Sequence, residues 1–485
     1  MADHVLTQID EAIARAAGTP RRGRGVPHEP VTVQLLVEDE TEAETPEKLH
    51  LIDHPIWPQL FLAIQFLWGM ALFLPGAQGF RFAVRALPYV SALAFLVMFE
   101  LNRSKRGPLP TGAGWLLAAL LLLVLNLFHP TSQPYAGIAQ CIFQLSIAAP
   151  IFWMHKAVRS PRQLEKLLAL VLVMNFVSAG LGVLQVYYPD RFMPPQLNYQ
   201  LGDNMLEALS YVGADGRIIV RPPGLSDTPG GAALAGGLTA LLGLGFALHT
   251  RKLWQTTAVT VMSGVGLAAV YLTQVRSVLL MTIGAIALIG VLALRQGRVM
   301  RASLGLAIAG ALVVGSFMWA SSVGGASVES RFLNIRDQGA MATFRANRGD
   351  FLSSTLGELL DKYPLGAGVG RWGMMHQYFG DPFMPGAESI WVEIQPTGWL
   401  LDGGVPMWIL YGGAIVLSLI SVLGFAFSPN PAVAELAPIV FAIQLFIAGM
   451  SLSGPSFNTQ IGIIFWAVGA ALFGAARGAA AEPHP

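Results

Sequence analysis

Two arginines are set in surroundings where a charge is expensive. Arg221 opens RPPGLSDTPGGAALAGG directly ahead of a long apolar run, and Arg276 interrupts YLTQVRSVLL between two such runs. Arginine stays protonated and offers a planar fork of donors, so beside hydrocarbon it marks a site for an anionic partner. Its alternative use at a helix end is to snorkel towards lipid phosphate. Pro222 and Pro223 stiffen the backbone next to Arg221. Carboxylates gather further along, where GAESIWVEIQPTGWLLDGGVP carries Glu388, Glu393 and Asp402. These are general-base candidates or partners for arginines. Just upstream, YPLGAGVGRW alternates Gly366, Gly368 and Gly370, a backbone able to approach a ligand closely or simply to turn. It is not a nucleotide loop, because no strand precedes it and the spacing is wrong. Of the nine histidines only His376 lies in a long connection between apolar runs.

Other chemistries are missing. No G-x-x-x-x-G-K-[ST] phosphate loop, no H-E-x-x-H pair and no D-x-D pair on a long connection occurs. The one cysteine, Cys141, excludes an intramolecular disulfide and a cysteine-based metal site. No metal and no cofactor is therefore expected.

The elements that must position these residues are written in the composition. Of 485 residues 54% are hydrophobic and 12% charged, against about 25% charged in soluble domains. The first 56 residues hold 5 of the 30 Lys/Arg and 11 of the 29 Asp/Glu, so the remainder is poorer still. With a net charge of +1 there is no concentrated basic face, and nucleic acid is not an expected partner. The first apolar run begins near Trp57, too late for a cleavable signal peptide. A bilayer core of roughly 30 Å needs about 20 apolar residues per crossing. Twelve such runs are read, near 57–75, 84–101, 113–129, 136–155, 165–187, 230–249, 254–274, 277–295, 302–321, 404–427, 433–451 and 459–477. Backbone groups in hydrocarbon must pair within the segment, and the runs are too long and continuous for barrel strands. The expected fold is all-α, a polytopic membrane protein with about twelve transmembrane helices and a large extracytoplasmic loop between helices nine and ten.

Short basic connections face the cytoplasm. They are Arg103, Lys105 and Arg106; Lys156, Arg159, Arg162 and Lys166; Arg251 and Lys252; and Arg295, Arg298 and Arg301. The connection HPTSQPYAG has no Lys or Arg, while Arg81 and Arg85 make the first outer connection a partial exception. Both termini are then cytoplasmic. The segments are a disordered tail over 1–56, nine helices over 57–321 with an outer connection at 188–229, a large outer loop at 322–403, three helices over 404–477 and a short tail at 478–485. Within the large loop Leu352, Leu356, Leu359, Leu360 and Tyr363 share one helical face opposite Glu358, Asp361 and Lys362. Such a helix lies along the membrane surface or packs as a lid on other loops.

Four stretches, in this order and spacing, resemble the O-antigen ligase and O-antigen polymerase family of bacterial inner-membrane glycosyltransferases. RPPGLSDTP is similar to its Arg-x-x-Gly segment ahead of the sixth helix, and TQVRSVLL to its Ser/Thr-x-x-Arg-Ser/Gly turn. YPLGAGVGRW is similar to its Pro-Leu-Gly-x-Gly element, and EIQPTGWLLDGGVP to its Gly-rich entry into the tenth helix. The first third of the chain matches only in hydropathy. The resemblance implies transfer of saccharides from a polyprenyl-diphosphate-linked donor to a glycan or lipid-glycan acceptor, in O-antigen, lipopolysaccharide or exopolysaccharide biosynthesis. Membrane lipid and an envelope polysaccharide assembly complex are the further partners it implies. Arg221 and Arg276 would hold the diphosphate without a metal, and a carboxylate or imidazole would take the acceptor proton. Candidate substrate contacts are Arg217, Arg345, Arg348, Arg371, Gly366, Gly368 and Gly370. Ligases of the family place a histidine about eleven residues before the glycine matching Gly404, where this chain has Glu393. Glu393, Glu388 or His376 is left for that role, and polymerase-like chemistry is favoured over ligation. A secondary transporter or lipid-linked glycan flippase is the competing class, expected to show broken helices and midplane charges. A non-catalytic scaffold of an envelope-assembly complex is a third.

Overall fold

A computed structural model describes residues 54–71, 73–74, 80–101, 107–194, 209–226, 228–250 and 252–481. The tail expected over 1–56 therefore lies outside the described residues up to position 53, as do Arg103, Lys105, Arg106 and Arg251. Among the described residues twelve apolar helices follow one another: α1 (Ile56–Ala71), α2 (Arg81–Leu101), α3 (Ala113–Phe128), α4 (Pro134–Ala157), α5 (Pro161–Tyr187), α6 (Ala232–His249), α7 (Leu253–Thr273), α8 (Arg276–Arg295), α9 (Val299–Gln338), α10 (Gln395–Phe425), α11 (Pro431–Met450) and α12 (Gln460–Ala481). Among the described residues ten are long and apolar enough to cross a membrane, while α1 and α3 are shorter. The chain is an all-α polytopic membrane protein; among the described residues one antiparallel pair of short strands, β1 (Ser210–Val212) and β2 (Ile218–Val220), lies between α5 and α6.

Local signals set the ends. Ser160 caps α5 through its hydroxyl, which accepts from Gln163 N, and Pro161 fills the first helical position. Asn430 and Pro431 begin α11 in the same way. Two boundaries differ from the sequence reading. Helix α9 does not stop near 321 but runs on to Gln338, kinking at Gly325 (φ 56°, ψ −146°). One glycine bends the path, and no proline follows to end it. Helix α10 starts at Gln395 rather than 404 and is broken at Gly403–Gly404. A Cβ on Gly404 (φ +64°) would lie 2.1 Å from the Pro364 carbonyl oxygen, so only glycine fits. The connection between the two is thus narrower than 322–403. Much of it is helical, over Ala340–Phe344 and 345–362, with two π turns. Thr355 is buried there with its hydroxyl 2.6 Å from that of Thr397 in α10, while Leu356 on the expected apolar face stays exposed.

Helices α6 and α7 pack through small residues. A Cβ on Gly236 would meet the Gly266 carbonyl oxygen at 2.4 Å, and one on Gly243 would meet that of Val259 at 2.6 Å. Backbones this close gain van der Waals contact that lipid cannot replace. The seam fixes the start of α6, which follows Arg221, against the α7–α8 turn that holds Arg276. Elsewhere Trp153 of α4 stacks on Phe95 and Phe99 of α2 and meets the edge of Phe61 of α1, at 5.0–5.2 Å.

The odd-numbered connections meet at one end of the bundle. Gln133 Nε2 donates to the Asp381 and Ala387 carbonyls, Ala214 N to Val323 O, and Gln395 N to Ser451 O. At the other end Lys156 pairs with Glu100 at 2.5 Å and Arg298 with Glu435. His249 Nδ1 lies 2.9 Å from Glu435 Oε2, and its Nε2 lies 3.6 Å from Glu165.

Candidate functional site

The segment after β2 re-enters the bundle. Gln185 of α5 satisfies both backbone groups of Gly224, accepting from its N–H at 2.8 Å and donating to its carbonyl at 3.0 Å. Ser178 Oγ accepts from Leu225 N, and Gly230 N donates back to the Arg221 carbonyl. Arg221 is thereby held at the base of a closed loop. Its Nε is buried without a hydrogen-bond partner. Burial lowers its pKa, the Tyr211 phenol opposes that, and Arg276 beside it lowers it further. Tyr211 shifts the other way: burial raises its pKa, against the pull of Arg221. It donates to the Leu272 carbonyl at 2.8 Å, tying β1 to the end of α7.

The structure therefore brings Arg221 and Arg276 together and adds a third cation. Arg331, on the continuation of α9 beyond its kink, lies within electrostatic reach of both. Its Nε donates to the Gln274 carbonyl at 3.1 Å. Gln274 has φ +58°, an unusual left-handed geometry for a side-chain-bearing residue, in the turn before Arg276. Tyr271 of α7 meets Phe332 edge-on at 4.9 Å and fixes this stretch of α9. The sequence reading missed Arg331 because it ended the helix near 321. The signal was the absence of any proline from 322 to 338. The planar donor forks of arginines grouped in this way match the geometry of phosphate oxygens.

Beside the cluster lies a cavity of about 670 Å³. Its lining includes Gly230, Val275 and Val278, near the arginines in sequence, together with Trp372, Met375 and Asn458. Gln65, Gln140 and Asn175 line it within the spans, amides surrounded by apolar and aromatic groups. Gln140 and Trp372 also reach behind the wall to the buried Asp402, at 3.5 and 2.8 Å. The side-chain partners of Asp402 are thus neutral donors rather than arginines.

The other sequence candidates are dispersed. Glu393 is engaged at both oxygens, by Arg348 at Oε2 and by Trp391 Nε1 at Oε1 (3.0 Å). Glu388 is largely exposed; its own N–H and that of Gly386 lower its pKa, with Arg371 assisting. Arg371 is 5% exposed and works as a staple, donating to the Ala367 and Glu388 carbonyls. His376 stands in the short helix Gly373–Phe379, next to cavity-lining Met375, with Nδ1 3.0 Å from the Gly370 carbonyl. A carbonyl only accepts, so Nδ1 is the donor in this contact and Nε2 is the other ring nitrogen, an acceptor whenever the ring carries one proton. Arg217 pairs with Asp215 at the exposed β-turn at 2.5 Å, and Arg345 is exposed. Gly366, Gly368 and Gly370 all have φ between +80° and +105°. Their close approach is to the chain itself: added Cβ atoms would meet Gly403 Cα, Ser132 N and Gly137 N. No family model matches this chain, and no curated protein matches it.

Proposed function

We propose that the protein transfers or polymerises saccharides from a polyprenyl-diphosphate-linked donor at the outer face of the bacterial inner membrane. The observation that carries this reading is the grouping of Arg221, Arg276 and Arg331 near a large cavity lined largely by residues of the apolar helices. The end that bears them would face outward, with both termini cytoplasmic. In this reaction the anomeric C–O bond to the diphosphate breaks and a bond to the acceptor oxygen forms. The diphosphate leaves with the electron pair, and the arginine forks hold its charge without a metal. The hydroxyl proton goes to His376 Nε2. Glu393 already accepts at both oxygens, and a carboxylate lowered like that of Glu388 is a weaker base. A single displacement inverts the anomeric centre. Polymerase-like chemistry is favoured over ligation, because the tenth-helix entry carries Glu393 where ligases carry histidine.

The test is reconstitution in sealed proteoliposomes with a lipid-diphosphate saccharide. Formation of a longer glycan, with release of polyprenyl diphosphate, supports the reading. A second reading, transport or flipping of lipid-linked glycans, draws on the break in α10 beside the buried Asp402, since transporters build sites at discontinuous helices. Movement of intact donor across the bilayer without product would favour that reading.

A further inference from the structure

Gln274 carries two local costs at once. It closes α7 with φ +58° and ψ +28°, and among the described residues no other residue with a side chain has a positive φ. Backbone held in this region is strained and persists where the surroundings impose it, often at a ligand site. The side chain is also 3% exposed, and among the described residues its Nε2 has no hydrogen-bond partner. A buried donor left unbonded is destabilising. Glycine would relieve the first cost, and methionine would fill the same space without the second. The backbone around the amide is nevertheless tied on every side. Gln274 N donates to the Tyr271 carbonyl, Arg331 Nε donates to the Gln274 carbonyl, and Tyr211 and Thr273 bond the Leu272 and Val270 carbonyls. Val275, the next residue, lines the large cavity, and Arg276 follows it. A second buried donor without a partner among the described residues is Arg221 Nε, on an arginine within electrostatic reach of Arg331.

We infer that Gln274 is a specificity-determining residue of this site, its Nε2 donating, together with Arg221 Nε, to phosphoryl oxygens of a bound diphosphate. This rests on the proposed diphosphate role of the arginines and adds a donor that carries no charge. Arginines draw in any anion, and a further cation would raise their mutual repulsion. An amide adds neither attraction at long range nor repulsion. It selects by where an oxygen lies, and it penalises a ligand that leaves it unbonded.

Calorimetric binding of inorganic diphosphate to the purified full chain tests this, with a short-chain phosphatidylglycerol as competitor. Gln274→Met keeps the length of the side chain and removes the donor. It should weaken diphosphate binding about tenfold, the scale of one hydrogen bond to a charged group. Its thermal midpoint should equal or exceed that of wild type, because the unbonded amide is gone. Gln274→Gly, which relaxes the backbone, should show the same loss of affinity. Both losses should be alike at low and high salt, whereas the loss in Arg331→Ala should shrink as salt screens it. Wild-type affinity in Gln274→Met, a loss that fades with salt, or a loss matched by lower thermal stability in both variants overturns the assignment. So does a wild type that phosphatidylglycerol saturates as readily as diphosphate, or one that binds no diphosphate. Binding is read without turnover, so diphosphate held through Gln274 with no longer glycan formed sinks the transferase reading alone. Saccharide transfer at limiting donor that is undiminished in Gln274→Met sinks the role of Gln274 alone.

Discussion

At the end of the bundle bearing the 157–160 and 296–298 connections, Arg298 meets Glu435, whose other oxygen faces His249, and Lys156 meets Glu100. At the opposite end Arg221, Arg276 and Arg331 lie within reach of one another, and the ion pairs Arg348–Glu393 and Arg217–Asp215 belong to separate segments. The first arrangement neutralises charge within the protein and joins α2 to α4, and α6 to α5 and α11. The second brings three arginines within electrostatic reach of one another near a cavity. The same residue type thus pairs with carboxylates across helices at one end and gathers with its own kind at the other.

The strongest way to break this comparison is at the cluster. Arg276→Ala and Arg221→Ala should each reduce saccharide transfer to background while the protein stays in the membrane at normal abundance. Arg→Lys should restore only part, because an ammonium lacks the bidentate fork. Full activity in Arg276→Lys would make snorkelling the better account of that residue. Next comes the proton acceptor. His376→Ala should lower the rate by about 10²–10⁴-fold, the range of a general base. Glu393→Gln should cost less, and a reversal of that order would move the role to Glu393. An acidic limb of the pH–rate profile below the ordinary glutamate range, lost in Glu388→Gln, would instead assign Glu388, whose backbone donors favour the ionised form.

Arg331→Ala is expected to act more mildly, by about 10- to 100-fold, the scale of one or two charge-assisted hydrogen bonds to a leaving group. An unchanged rate would show that the cluster is functionally a pair. The smallest effect belongs at the other end. Glu435→Gln removes a partly exposed partner of Arg298, with about 1 kcal/mol or less of stability at stake. Thermal stability in detergent should fall slightly while transfer persists. A large loss of transfer with normal stability would show that the two ends are coupled.

The twelve apolar runs were legible because a bilayer demands length and continuous hydrophobicity, which are properties of the chain itself. The central pair of arginines was legible for a related reason, since a charge beside hydrocarbon is conspicuous. Arg331 was not, because its place depends on α9 continuing through Gly325 and on Tyr271 holding Phe332. The carboxylates were visible as residue types, but their availability was not. That Glu393 is occupied by Arg348 and that Asp402 sits among neutral donors are facts of contact between distant segments, while the contact of His376 Nδ1 with the Gly370 carbonyl depends on the turn between them. Likewise the spacing of Gly366, Gly368 and Gly370 showed a backbone suited to close approach. Only packing decided that it approaches the 131–137 segment and the break in α10. The sequence by itself determined the solvent, the helices and the sites of costly charge, because each is set by local transfer energy. Which charges converge, and what each one meets, required the tertiary structure, because those energies arise between residues far apart in the chain.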